Sequence, residues 1–209
     1  MSSEEIVKIS ASVVALAIAI IGHEIMHGYV AYRYGDTTAK DAGRLSLNPI
    51  VHIDPVGTIA LPLILFITGA PFLFGWAKPV PIDAYRVLRK GGYAGMFNVS
   101  MAGIFFNAVM AVVASLLLGL NDSLWVNALL LQLVVYNVIL AMFNLLPIPP
   151  LDGSKAMSYL GIMLGTGKIA EFFYKIERWG MVILVLFLIS PLSHLFFSYA
   201  REIILWLVF

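Results

Sequence analysis

Residues 6–32 read IVKISASVVALAIAIIGHEIMHGYVAY, a stretch in which Lys8 and Glu24 are the only unambiguous charges. About 20 consecutive, mostly apolar residues suffice for a helix to cross the hydrocarbon core of a bilayer. The stretch is therefore a membrane helix. The residues ahead of it, MSSEE, are acidic rather than basic, and no small-residue cleavage site closes the apolar run, so the helix is expected to be retained. Inside it lies His23-Glu24-Ile25-Met26-His27, the HExxH pattern. Histidines at i and i+4 share one helix face, one turn apart, so both imidazoles can reach one zinc ion. The glutamate between them then stands beside the metal, where it can act on water as a general base. In a chain with four His and twelve Asp+Glu, chance would produce this spacing about 0.004 times. Buried ionisable groups in a membrane helix cost roughly 2.5–3.5 kcal/mol each on insertion scales, and so mark function.

Composition agrees with a membrane setting. The 209 residues are 61% hydrophobic and 12% charged, against about 45–50% and about 25% in soluble domains. That excludes a soluble globular protein. A formal net charge of +1, with scattered basic residues, gives no electrostatic footprint for nucleic acid, and the expected partner is lipid. There is no cysteine, so any metal must be held by nitrogen and oxygen. The length suits one domain over 1–209, with a core over 6–154 and C-terminal helices over 155–209, and leaves no room for a separate soluble module.

Beyond the first helix, residues 33–55 are polar and rich in Gly, Asp and Pro, and read as a loop with room for short strands. The apolar run Val56–Ala77 is interrupted by Gly57, Pro62, Gly69, Pro71 and Gly75, which disfavours one straight helix. A basic loop, KPVPIDAYRVLRK, precedes two apolar spans, Ala94–Leu120 and Val126–Leu146, divided at Asn121-Asp122-Ser123. Prolines in PIPPLDGS end the second. Residues 154–178 read as a short helix plus a surface segment, and Met181–Tyr199 is apolar with Pro191 inside. The expected fold is an all-α polytopic membrane protein with about four to six transmembrane helices and a re-entrant segment at Val56–Ala77.

Catalytic zinc usually takes three protein ligands and keeps a fourth position open. The other histidines are His52 and His194, and between Tyr85 and Ser154 the acids are Asp122, in a turn, and Asp152, directly after the helix-ending prolines. Asp152 is the preferred third ligand, although a helix N-cap at that position would need no metal.

HEIMH, GRLSLNP, HIDPVGT, AKPVP and NLLPIPPLDG together resemble the site-2 protease family of intramembrane zinc metalloproteases, in its small bacterial and archaeal form without PDZ or CBS domains. The likeness runs from Gly22 to Ser154. It implies a single zinc bound by His23, His27 and Asp152, Glu24 as catalytic base, and Asn144 in substrate or oxyanion contact. It implies cleavage in or near transmembrane segments of membrane proteins during regulated intramembrane proteolysis. Many relatives carry AGPxxN between the zinc motifs; here the sequence is Ala102-Gly103-Ile104-Phe105-Phe106-Asn107, with the asparagine kept and the proline absent.

Counting crossings tests the model. If Val56–Ala77 spanned the bilayer, three crossings would separate the end of the first helix from Asp152 and set them on opposite sides. A re-entrant segment leaves two crossings and brings the motifs to one side. Loops 33–55 and 78–90, with three and four basic residues, then share a face that is cytoplasmic by the positive-inside tendency, in a prokaryotic cell membrane, with the active site toward it. Extended pairing of an unwound substrate with loop 44–54 or the re-entrant segment would hold the scissile stretch. Asn98, Asn107, Asn137 and Asn144 either line a water route or bond between helices, and for Asn137 the interhelical bond is expected. The rival function is a zinc-binding transporter or scaffold without proteolysis.

Overall fold

The computed structural model describes residues 2–69, 75–120 and 122–209. Helix α1 (Ser3–Arg33) opens with a capping box, in which Ser2 and Glu5 satisfy each other's backbone N–H groups. Along α1 the buried positions Ala11, Ala15, Ala19, His23, His27 and Ala31 recur every four residues. That single ridge carries small residues for close helix approach and then the two histidines, so the packing that buries the alanines also turns the imidazoles inward. Large apolar residues such as Ile6, Val13 and Leu16 lie exposed on the opposite faces, as lipid contact requires.

After α1 come the short α2 (Thr38–Asp41), a 3₁₀ turn at Pro49–His52 and a π-helical turn at Pro55–Ala60 leading into α3 (Leu61–Ile67). Asn48 and Asp54 accept from the N–H groups that begin the two turns, each of which opens on a proline, so residues 33–55 form turns and no strand. The apolar helical run Pro55–Ile67 rises at most about 20 Å against a hydrocarbon core of about 30 Å. It cannot cross. The chain comes back to its starting level: Trp76 N–H donates to the Gly57 carbonyl at 3.1 Å, Lys78 N–H to the His52 carbonyl at 2.9 Å, and the Thr58 hydroxyl to the Trp76 carbonyl at 2.8 Å. The described ends of the Gly/Pro-broken run are thus joined to one another; its residues 70–74, including Pro71, lie outside the described residues.

Helix α4 (Ala84–Leu117) is capped by Asp83 and broken at Gly92, whose positive φ of 59° sets off a surface segment from the membrane segment. The helix continues unbroken through Ala102–Asn107, so the missing proline costs no kink there. Helix α5 (Leu124–Leu145) follows a turn in which Asn121 is outside the described residues. Helices α1, α4 and α5 pack pairwise around Ala15, Ala111, Ala114, Leu133, Val134 and Val138. Helix α6 (Asp152–Met163) lies against α4, and α7 (Gly167–Ile176) against α6.

The last apolar run divides at Ser190. Helices α8 (Gly180–Ile189) and α9 (Pro191–Val208) meet there because Pro191 has no N–H to continue the ladder and Ser190 caps the new helix. Among the described residues α1, α4 and α5 are long and apolar enough to cross a membrane, and a fourth span is reached when the pair Gly167–Ile189 and Pro191–Val208, bent by 74°, counts as one. The chain is an all-α, multi-pass membrane protein.

Candidate metal centre

His23 and His27, on the buried ridge of α1, meet Asp152 at the first position of α6. His23 Nε2 and His27 Nε2 each lie 3.0 Å from Asp152 Oδ2 and 3.0 Å from one another. Ligands around one tetrahedral zinc, bound at 2.0–2.2 Å, stand about 3.3 Å apart, so this triangle is already close to what a metal needs. His27 Nδ1 lies 2.6 Å from the Val99 carbonyl; a carbonyl only accepts, so Nδ1 carries the proton and the Nε2 lone pair faces the triangle. Asp152 Oδ1 lies 3.3 Å from Lys155 Nζ, an ion pair that favours the ionised carboxylate against the cost of its burial. A buried carboxylate and an inward imidazole lone pair form a donor set that a divalent cation fits.

Asp152 does not cap its helix: its oxygens turn to the histidines and Lys155 instead. Two glycines permit the approach. A Cβ on Gly103 of α4 would stand 2.5 Å from the His23 ring, and one on Gly153 would stand 2.3 Å from the Leu145 carbonyl oxygen. His23 Nδ1 lies 2.6 Å from Asn107 Oδ1.

Glu24, between the histidines, accepts at Oε2 from the Val80 N–H at 2.9 Å. It borders two cavities. One, of about 290 Å³, is also lined by His23, Ala77, Leu140, Asn144 and Met181. The other, of about 320 Å³, is lined by His27, Asp152, Lys155, Ser100 and Tyr159 as well. Asn144 thus shares a cleft with His23 and Glu24, its Nδ2 donating to the Leu140 carbonyl at 3.1 Å. His52 is buried elsewhere, bonded to the Ser46 carbonyl, and His194 is exposed on α9. Asn98 bonds Tyr34 at the surface, and Asn137 makes the interhelical bond expected of it, to Asn107.

Comparison with known proteins agrees with this geometry. The model of peptidase family M50 matches residues 120–188, which include Asn144 and Asp152. YwhC of Bacillus subtilis is 36% identical over 199 residues, covering 87% of this chain and 81% of that protein. The chain belongs to peptidase family M50. Rip2 of Mycolicibacterium smegmatis is 30% identical over 191 residues, 88% of this chain and 67% of that protein. MJ0611 of the archaeon Methanocaldococcus jannaschii is 28% identical over 151 residues, 71% and 69% of the two chains. All three carry zinc metalloprotease names. No solved structure matches the chain. M50 membership makes it a metalloprotease of the site-2 type, as the motifs implied.

Val80, Gly103 and Asn107 lie inside the quoted motifs but were given no role there, and all three belong to the surroundings of this M50 site. A polar Asn107 in an apolar run was visible as a residue in need of a partner, but which partner depends on how α4 lies against α1.

Proposed function

We propose that the chain is an intramembrane zinc metalloendopeptidase that hydrolyses peptide bonds in or near transmembrane segments of membrane proteins, in regulated intramembrane proteolysis. One zinc per chain is held by His23, His27 and Asp152. The observation that carries this reading is the 3.0 Å triangle of Nε2, Nε2 and Oδ2 beside Glu24. His23 is ten residues from the charged end of α1 at Arg33, about 15 Å of helix. That depth supports chemistry within the bilayer. All of these groups fall between residues 23 and 152, which supports a catalytic core over 6–154 and flanking helices over 155–209 within one domain.

Zinc held by His23, His27 and Asp152 would supply a Lewis acid that acidifies water toward a pKa of about 7 and polarises a peptide carbonyl. Glu24 takes the proton as water attacks, and returns it to the leaving amine as the C–N bond breaks. The Asn144 amide, facing the same cleft, donates to the substrate or the developing oxyanion after leaving the Leu140 carbonyl.

Residues 75–83 supply a means of holding an unwound substrate. Trp76 and Lys78 turn their N–H groups to Gly57 and His52, and alternation along an extended segment turns Ala77 the opposite way. Gly75 and Ala77 line the cleft. Pro79 and Pro81, in the same alternation, offer no N–H. Pairing along that edge is thereby confined to Gly75 and Ala77, at the start of the segment. Loops 33–55 and 78–90 lie on the side of Arg33, and their basic residues support a cytoplasmic location of that face in a prokaryotic cell membrane.

A zinc-binding transporter or scaffold would leave Glu24 without a task. The test is cleavage of a panel of labelled transmembrane peptides by purified wild type and Glu24→Gln, with bound zinc measured in both. The proposal expects wild type to cut, Glu24→Gln to be inert, and both to hold one zinc. Equal zinc with no cleavage of any peptide by wild type would favour the non-proteolytic reading.

A further inference from the structure

Asn107 and Asn137 are both fully buried, on α4 and α5. Their amides form a directed chain. The Leu133 carbonyl can only accept, so the group 2.8 Å from it is the Asn137 amide nitrogen. The Asn137 oxygen then faces away from that carbonyl, 2.8 Å from Asn107 Nδ2. A second fixed acceptor, the Ala19 carbonyl of α1, lies 3.1 Å from the same nitrogen. Two independent acceptors therefore fix the Asn107 amide, and it is the oxygen that must face His23 Nδ1 at 2.6 Å. An amide oxygen cannot donate. The proton sits on His23 Nδ1.

We propose that Asn107 is a positioning residue which, oriented by Asn137 and by the Ala19 and Leu133 carbonyls, locks His23 in the Nδ1–H tautomer and so turns its Nε2 lone pair toward the metal. His27 is locked by a backbone carbonyl, that of Val99, whereas His23 depends on side chains from two further helices. The register of α1, α4 and α5 is thereby read out at a single nitrogen. Reversing the chain would set amide oxygens against both carbonyls in a site without water contact, so the direction has no low-energy alternative. Partners on the outer nitrogen of a ligating histidine raise its basicity and fix its ring, and their loss typically weakens metal binding about 10–100-fold.

This inference rests on His23 being a metal ligand. The test compares wild type, Asn107→Leu, Asn107→Asp and Asn137→Leu in detergent, by zinc affinity in competition with a chelator and by ¹⁵N spectra of labelled histidine, with circular dichroism to establish folding. Asn107→Leu should bind zinc about 10–100-fold more weakly and lose the protonated Nδ1 signal of His23. Asn107→Asp keeps an acceptor toward Nδ1 while losing both donors to Ala19 and Asn137, and should bind more tightly than Asn107→Leu though more weakly than wild type. Asn137→Leu should fall between. If the Asp variant is as weak as the Leu variant, or if folded Asn107→Leu binds like wild type, Asn107 only joins helices and the inference is overturned. Wild type that binds no zinc would overturn instead the assignment of His23 as a ligand.

Discussion

Val80 donates its backbone N–H to Glu24 Oε2 at 2.9 Å, joining the proposed base to the segment that returns from the re-entrant loop. The same segment is held by the Arg44 guanidinium, 2.6 Å from the Lys78 carbonyl, and by Asp36, which accepts from Asp83 N–H at 2.7 Å. The orientation of Glu24 is thus set by the fold of residues 75–83 as well as by α1. Val80→Pro removes that donor between two prolines that already favour extended backbone. A hydrogen bond to a charged group contributes about 1.5–3 kcal/mol, so kcat should fall about tenfold to a hundredfold. Zinc content, measured on the same sample, should be unchanged.

Ala77→Pro tests the pairing edge. The strap is anchored through the Trp76 and Lys78 N–H groups, so the substitution at Ala77 should leave it in place. Losing one substrate hydrogen bond of about 1 kcal/mol should raise KM about fivefold with zinc retained. A KM equal to that of wild type would remove this segment from substrate binding.

Gly103→Ala brings a methyl group to 2.5 Å from the His23 ring. Because α4 is braced by α1 and α5, the ring must shift. Overpacking of this kind costs about 1–3 kcal/mol, and the expected outcome is a lower Tm together with weaker zinc binding.

Removing metal with a chelator should abolish cleavage and lower Tm, since a ligand held only by the folded state stabilises it by about 2.7 kcal/mol at 100 times its Kd. Helix content by circular dichroism should persist. The packing of α1, α4 and α5 rests on Ala15, Ala111, Leu133 and their neighbours, which do not touch the metal centre.

The histidines and Asp152 were legible in the sequence for different reasons. HEIMH carries its own geometry, because one turn of helix fixes the distance between its imidazoles. Asp152 stood out as an acid directly after helix-stopping prolines, and the fold explains why it does not serve as a cap. Asn107 and Asn137 could be read only as groups in need of partners, since a hydrogen bond across three helices depends on their relative register. Residues 75–83 were not legible as an extended strap: Gly and Pro forbid a straight helix but do not say which carbonyls receive the free N–H groups. The last apolar run was long enough for one span by composition, yet Pro191 divides it into α8 and α9. Residues 33–55, where short strands were allowed for, took turns capped by Asn48 and Asp54.

The most direct test of the central claim is zinc K-edge absorption on purified Glu24→Gln, which keeps the proposed ligands and removes turnover. The account predicts one zinc per chain, with nitrogen and oxygen neighbours at about 2.0–2.2 Å and the outer-shell scattering of two imidazoles. Substoichiometric zinc, or a first shell with fewer than two imidazoles, would contradict it.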